Sequence, residues 1–264
     1  MTRHTGGVAI TVTALAVTPV KGMRLRPVDA VELTELGAQG NRAFYVVDEN
    51  RRLMNGKGAG ELQAVVPEYD AAAGELAFTF PSGEVVSAQV ELGQEIETNY
   101  FGTARAAKEL VGPWADALSA FMGEPVRVVA SPKVGADRGR AGSVSLMSRG
   151  SLRRLAEVAG SEPIDGRRFR MLIEVEGVDA HTEDDWVRRR VRVGPVLVAW
   201  NGHIGRCATT TRDPDSGVVT LPTLHALAAY RKEHPSEEPL PFGIYGEVLE
   251  GGRVAVGDPV TVEA

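Results

Sequence analysis

One cysteine, Cys207, stands in the whole of a 264-residue chain. A lone thiol forms no internal disulfide and cannot supply the several thiolates of a structural zinc site or an iron–sulfur cluster. Three readings of it stay open on composition: a small hydrophobe packed in a core, a nucleophile, or one ligand to a metal whose other bonds come from elsewhere. Histidine is scarce too, with five residues. His225 and His234 lie nine positions apart on one expected helix, about 900° of rotation, so they fall on opposite faces and share no metal there. Positive charge is also in deficit. Lys and Arg number 29 against 35 Asp and Glu, a net charge of −6, which gives no general attraction to a phosphate backbone or an anionic membrane. Neither nucleic acid nor membrane is expected as a partner, and any anion must be captured by a local basic pocket.

Long apolar runs are missing as well, and no stretch reaches the roughly 20 residues of a membrane span. The start, "GVAITVTALAVTPVKG", is apolar, yet Thr11 and Thr13 alternate with Ile10, Val12 and Ala14. That is the period of a strand and not of a secretory h-region. Without disulfides or a leader, the chain is expected to be cytoplasmic.

What the sequence has is many short β segments divided by Gly, Pro, Asn and Asp. Strands are expected at 8–18, 28–36, 43–48, 63–70, 76–80, 84–91, 126–131, 143–147, 168–176, 191–200, 207–211, 243–249 and 253–263. The fold class is mainly β, with barrels or packed sheets favoured over a parallel α/β sheet. Three helices interrupt it. "PWADALSAFMGE" opens on Pro113 and puts Trp114, Leu118, Phe121 and Met122 on one face. "SRGSLRRLAEVAG" has Ser148 or Ser151 as its cap, and "LPTLHALAAYRKEH" is the third. The glycines and mixed charges of "SPKVGADRGRAGS" mark a boundary between an N-terminal β-rich domain, 8–130, and a C-terminal domain, 131–264.

Candidate chemistry gathers at strand ends. "TPVKG" sets Lys21 after the first strand, "GNRAF" sets Arg42 before the third, and "RRFRML" sets Arg170 at another strand start. A buried arginine needs a partner, since its charge cannot be titrated away, and either a salt bridge or a bound phosphate suits it. "NGKGAG" carries Lys57 but lacks the ending of a P-loop, so it reads as a turn. His203, four residues before Cys207, is a candidate base for a thiol nucleophile.

Taken together, these segments resemble the MOSC domain family, in the members that carry an N-terminal β-barrel extension, and among those the reductases of amidoximes and other N-hydroxylated compounds. The matching residues are Pro19-Val20-Lys21-Gly22, Asn41-Arg42-Ala43-Phe44, Arg168-Phe169-Arg170-Met171-Leu172, and the signature from Arg206 and Cys207 through Asp213-Pro214-Asp215-Ser216-Gly217. The resemblance implies a β-barrel MOSC domain with a few helices beside a β-rich N-terminal domain. It also implies a molybdenum cofactor, with Cys207 as the catalytic residue and the protein's ligand to molybdenum. Lys21, Arg42 and Arg170 become its anchors, Gly22 offers a backbone N–H, and Lys57 is a further phosphate contact. Arg206 favours the thiolate, with Thr209 among the hydroxyl contacts. One cysteine suffices because a dithiolene already gives molybdenum two soft sulfurs.

The implied activity is a two-electron reduction that removes oxygen from a small N-hydroxylated or related N-oxygenated substrate. With no flavin motif and no cysteine set for a cluster, the electrons must come from a separate reductase or a small electron carrier. Two other readings keep the same fold: a persulfide sulfur carrier on Cys207, and a cofactor carrier without turnover. Two departures from the resemblance stand out. Arg140-Ala141-Gly142-Ser143 lies where the reductases place Asp-x-x-Pro, and Leu172 replaces an asparagine.

Overall fold

A computed structural model describes residues 9–131 and 138–263. Part of the expected boundary, residues 132–137, lies outside them, as do the ends of the first expected strand and of the C-terminal domain. The fold is mainly β with three α-helices, as expected.

Its largest sheet has eight strands in the order Val260–Val262, Arg190–Val193, Val196–Gly205, Pro241–Glu250, Val144–Ser148, Ile173–Glu176, Thr11–Val17 and Arg26–Val28. Every pairing is antiparallel except Val144–Ser148 with Ile173–Glu176. That parallel pair needs a crossover, and helix α2, Arg149–Ala159, supplies it. Barrel is too strong a word for the result. The sheet rolls up, and its two ends touch at one corner, where Val12 N donates to Asp258 O (2.9 Å) and Val260 N to Ile10 O (2.8 Å). The pairing otherwise stays open. Inside the roll are Leu15, Leu146, Val198, Trp200 and Ile244, all buried.

The N-terminal residues divide between two cores. Thr11–Val17 and Arg26–Val28 belong to the large sheet, and Ala30–Thr34 pairs with Gly252–Ala255, so strands from the first 38 residues pair with strands beyond residue 170. Val20–Lys21 joins strands after residue 43 in a second sheet, in the order Glu91–Tyr100, Thr103–Val111, Val126–Ala130, Phe44–Asp48 and Val20–Lys21, next to a three-stranded meander over Val66–Gln89. Phe44, Phe78, Trp114 and Leu118 make that core, and the Trp114 indole donates to Leu76 O at 2.9 Å. Helix α1, Trp114–Met122, ends on Gly123 in the left-handed region, φ +73°.

Several elements depart from the sequence expectation. The segment 207–211 is a 3₁₀ turn, Ala208–Thr211, although its threonines favour strands. Thr210 Oγ1 donates to Cys207 O and Thr211 Oγ1 to Ala208 O, so the hydroxyls stabilise the turn locally. The expected strand at 168–176 begins only at Ile173, behind a 3₁₀ turn at Gly166–Phe169. The expected strand at 191–200 is two strands folded back at Gly194. The hairpin Glu91–Tyr100/Thr103–Val111 was not foreseen at all. Ser148, not Ser151, caps α2: its hydroxyl accepts from Ser151 N at 3.1 Å.

Candidate active site

A cavity of about 620 Å³ opens where the two cores meet, within the size range of small-molecule sites. Lys21, Gly22, Arg42, Lys57, Arg170, Arg206, Cys207 and Thr209, all eight candidate residues, line it. They come from five places in the chain: the strand Val20–Lys21 and the residue after it, the approach to Phe44–Asp48, the loop between Leu53–Met54 and Gly60–Ala64, the segment after the 3₁₀ turn at Gly166–Phe169, and the segment that follows Val196–Gly205.

Cys207 is exposed, which excludes the packed-core reading. Its Sγ lies 3.4 Å from Thr209 Oγ1. Its carbonyl accepts from Thr210 N and Thr210 Oγ1, both at 3.1 Å, and Thr210 Oγ1 meets Thr223 Oγ1 at 2.6 Å. Thr223 opens helix α3, Thr223–Arg231, so the cysteine turn is anchored to a helix.

Arg206 turns its guanidinium into the protein. It donates to Phe242 O (2.8 Å from Nε), Phe169 O (2.9 Å) and the Met171 sulfur (3.0 Å), and stands 5.3 Å from the Phe169 ring centre. Burial pushes it down to about 9, with the adjacent Cys207 acting in the opposite sense, so it stays cationic at neutral pH.

Two of the expected anchors have unusual backbones: Arg42 at φ +53° and Arg170 at φ +56° sit in the left-handed region that disfavours side chains with a Cβ. Each is tied to its neighbours, Arg42 Nη2 donating to Arg170 O at 2.9 Å and Arg170 Nη2 to Met23 O at 2.6 Å. Conformations of this kind persist where the surroundings over-determine them and cluster at functional sites. Lys21 is buried, and its Nζ lies 5.2 Å from the centre of the Phe101 ring.

The acidic part of the signature is a bracket. Asp213 Oδ1 accepts from Asp215 N, Ser216 N and Ser216 Oγ at 3.1, 2.8 and 2.8 Å, closing a turn. Asp215 grips Arg167 through two 2.8 Å bonds, while its carbonyl accepts from Arg24. Gly217, at φ +73°, lets the turn press on the loop holding Lys57: a Cβ there would stand 1.9 Å from Gly60 O. Gly56 plays the same part against Thr209, where a Cβ would meet the methyl at 2.8 Å. Lys57 itself is exposed at the rim.

Two findings lay beyond the sequence reading. Phe101 joins the lining from the tip of the unforeseen hairpin, 63% exposed and at φ +55°. Tyr100-Phe101-Gly102-Thr103 is a two-residue turn with both central φ positive, normally signalled by Asn-Gly, and Phe at its first position gives no such signal. The proposed base is a correction. His203 faces Asp184 and His234 and is absent from the cavity lining, because alternation along the strand sends it to the opposite side from Ile204. Leu172 lines the cavity as an apolar, buried side chain.

Residues 135–261 match the model of the MOSC domain. Human mitochondrial amidoxime reducing component 2 is 42% identical over 98 residues, which is 35% of this chain and 29% of that protein. Mitochondrial amidoxime-reducing component 1 of Xenopus laevis is 38% identical over 106 residues, 38% of this chain and 30% of that protein. The chain thus spans under a third of the length of these curated relatives. Among solved structures, the YUAD protein of Bacillus subtilis aligns over 96% of this chain and 95% of its own at 11% identity and a TM-score of 0.45. YiiM of Escherichia coli aligns over 96% of this chain and 70% of its own at 10% identity and a TM-score of 0.42.

Proposed function

Residues 135–261 match the MOSC domain, and from that likeness we propose that the chain is a molybdenum-cofactor oxidoreductase reducing small N-hydroxylated or related N-oxygenated compounds. The observation that carries the reading is an exposed thiol, the only one in the chain, in the same cavity as Lys21, Arg42, Lys57 and Arg170. This donor set fits the group: one soft ligand for a metal already held by a dithiolene, and cationic side chains for its phosphate.

Cys207 is the protein ligand to the metal. Lys21, Arg42 and Arg170 hold the anionic end, joined at the rim by Lys57, while Gly22 offers its N–H and Thr209 its hydroxyl. Arg206, its donors directed to carbonyls, anchors the backbone that leads into Cys207. When bound, the cofactor supplies two-electron oxygen-atom transfer, and the protein's part is binding, orientation and electrostatics. The 3₁₀ turn fixes the thiol while the Asp213 and Asp215 bracket fixes the loops that flank it. Leu172, an apolar wall, excludes water there. Electrons come from a separate reductase or small carrier.

We read residues 8–130 and 131–264 as two domains that exchange strands near the N-terminus, and the chain as working in a reducing compartment such as the cytoplasm. Among the described residues no helix is long and apolar enough to cross a membrane. A persulfide carrier would suit the exposed thiol but makes no use of the basic lining.

The test is turnover. Protein produced in a cofactor-synthesising host is offered a reduced artificial dye with N-hydroxylated amidines or hydroxylamines. Dye oxidation dependent on the acceptor and lost in Cys207→Ala is expected. Bound pterin with no oxidation for any acceptor would favour a carrier, and cyanolysable sulfur on Cys207 without molybdenum would favour sulfur transfer.

A further inference from the structure

Behind the strand that delivers Cys207 lies a second group of donors. Asp184, His203 and His234 bring three ligand atoms within 4.8 Å of one another. They come from a 3₁₀ turn, Thr182–Trp186, from the strand Val196–Gly205, and from the segment after α3. His203 Nε2 lies 3.5 Å from Asp184 Oδ1, and His234 Nε2 lies 3.4 Å from Asp184 Oδ2. The two imidazoles meet edge to face, ring centres 4.8 Å apart.

These separations are long for N–H···O hydrogen bonds, which cluster near 2.9–3.0 Å. With one ligand atom taken from each residue, the three donors lie within 4.8 Å of one another, and an ion with bonds of about 2.0–2.1 Å would draw them toward a tetrahedral edge of about 3.4 Å. Asp184 Oδ1 and His203 Nε2 are buried and have no hydrogen-bond partner, a costly arrangement for two polar atoms aimed at one another. The side chains are 11%, 13% and 21% exposed in the order Asp184, His203, His234, so His234 forms the open side where water can complete the set.

The surroundings hold the carboxylate in place. Arg231 donates from Nη2 to Asp184 Oδ2 at 2.7 Å and from Nε to Pro241 O at 3.0 Å, leaving Oδ1 available. Next to Asp184, Glu183 is fully buried, its Oε1 accepting from Ser148 N (3.0 Å) and Ser151 Oγ (2.6 Å), so the turn is fastened to the cap of α2. An outer partner of this kind is what orients a ligating carboxylate.

We propose that Asp184, His203 and His234 form a binding site for one divalent late transition ion, with zinc as the favoured occupant of an N₂O set and water as the fourth ligand. The ion would tie the 3₁₀ turn and the end of α3 to the strand that carries Cys207. It is independent of molybdenum and uses none of the residues that line the cavity.

The full chain is stripped with a chelator, then titrated with Zn²⁺ by calorimetry and with Co²⁺ by absorption. One equivalent per chain is expected, with the intense visible bands of tetrahedral Co²⁺ and no thiolate charge-transfer band. Zinc raises Tm. Binding is lost in His203→Ala and in His234→Ala, each shown to be folded by circular dichroism, and survives in Cys207→Ala and His225→Ala. Wild-type protein that takes up neither ion stoichiometrically would overturn the proposal, as expected if a water bridges the three side chains. So would binding that survives both ligand variants or vanishes with Cys207.

Discussion

Replacing Arg206 by methionine keeps most of the side chain's volume and removes every donor. Two carbonyls, Phe169 O and Phe242 O, lose a charged donor in an enclosed position, and the contact with the Met171 sulfur goes as well. A buried acceptor stripped of its partner costs about 1–3 kcal/mol, and hydrogen bonds to charged groups contribute about 1.5–3 kcal/mol each. Against this, the variant no longer has to desolvate a guanidinium, whose effective penalty is several kcal/mol. The balance is a loss of about 3 kcal/mol, which for a chain of this size lowers Tm by about 9 °C. Arg206→Lys, with one ammonium unable to span three acceptors, should fall between variant and wild type. Thermal unfolding by circular dichroism measures this, with the exposed Arg253→Met as a control. An Arg206→Met protein melting within about 2 °C of wild type would show that the buried guanidinium is not a keystone and refute the reasoning.

Other consequences follow from the same contacts. Asp215→Asn loosens Arg167, which its carboxylate bonds and those of Asp165 hold above the ordinary guanidinium range; because Asp215 is 45% exposed the loss is about 1 kcal/mol and shrinks in high salt. An effect unchanged at molar NaCl would contradict an ionic bracket. Burial first, and Arg231 second, depress His181 from 6.5 to about 4. The unfolded chain therefore binds a proton that the folded chain refuses between those values. The contribution is complete above pH 6.5 and is lost as pH falls toward 4, by up to about 3 kcal/mol, a slope that His181→Phe should flatten in urea titrations across that range. At Arg170, with φ +56°, glycine relieves a backbone that alanine does not, so Arg170→Gly should be about 1 kcal/mol more stable than Arg170→Ala, while both lose cofactor. Equal stabilities would mean that the left-handed conformation relaxes on substitution.

The strands with one buried face were legible because alternation survives in the sequence: Ala30–Thr34 and Glu75–Thr79 show it in their burial. Helix α1 is legible through its apolar face and α2 through its serine cap. What escaped was set by tertiary contact. The hairpin Glu91–Val111 covers its outer face with charge and turns on Phe101-Gly102, so neither its pattern nor its turn resembles a textual signal. The threonines after Cys207 carry β propensity, yet their hydroxyls bond back to carbonyls one turn earlier, and short-range hydrogen bonding prevails. All eight candidate residues line one cavity; Lys21, Arg42, Arg170 and Cys207 stand out in the sequence as basic residues at strand ends and a lone cysteine, while Gly22, Lys57, Arg206 and Thr209 follow only from the resemblance. Phe101 could not be named from sequence, since only the fold brings it to the cavity. The four-residue spacing from His203 to Cys207 suggests proximity, but His203 lies on the strand Val196–Gly205, whose alternation sends it to the group at Asp184.

The central claim rests on Cys207 as a metal ligand, and metal analysis tests it most directly. Molybdenum and pterin are quantified in protein from a cofactor-competent host, next to Cys207→Ala prepared in parallel. The account predicts near-stoichiometric molybdenum in the wild type, lost or redox-silent in the variant. Folded wild-type protein without molybdenum or pterin from that host, or a variant with metal content and reducibility equal to wild type, would contradict it.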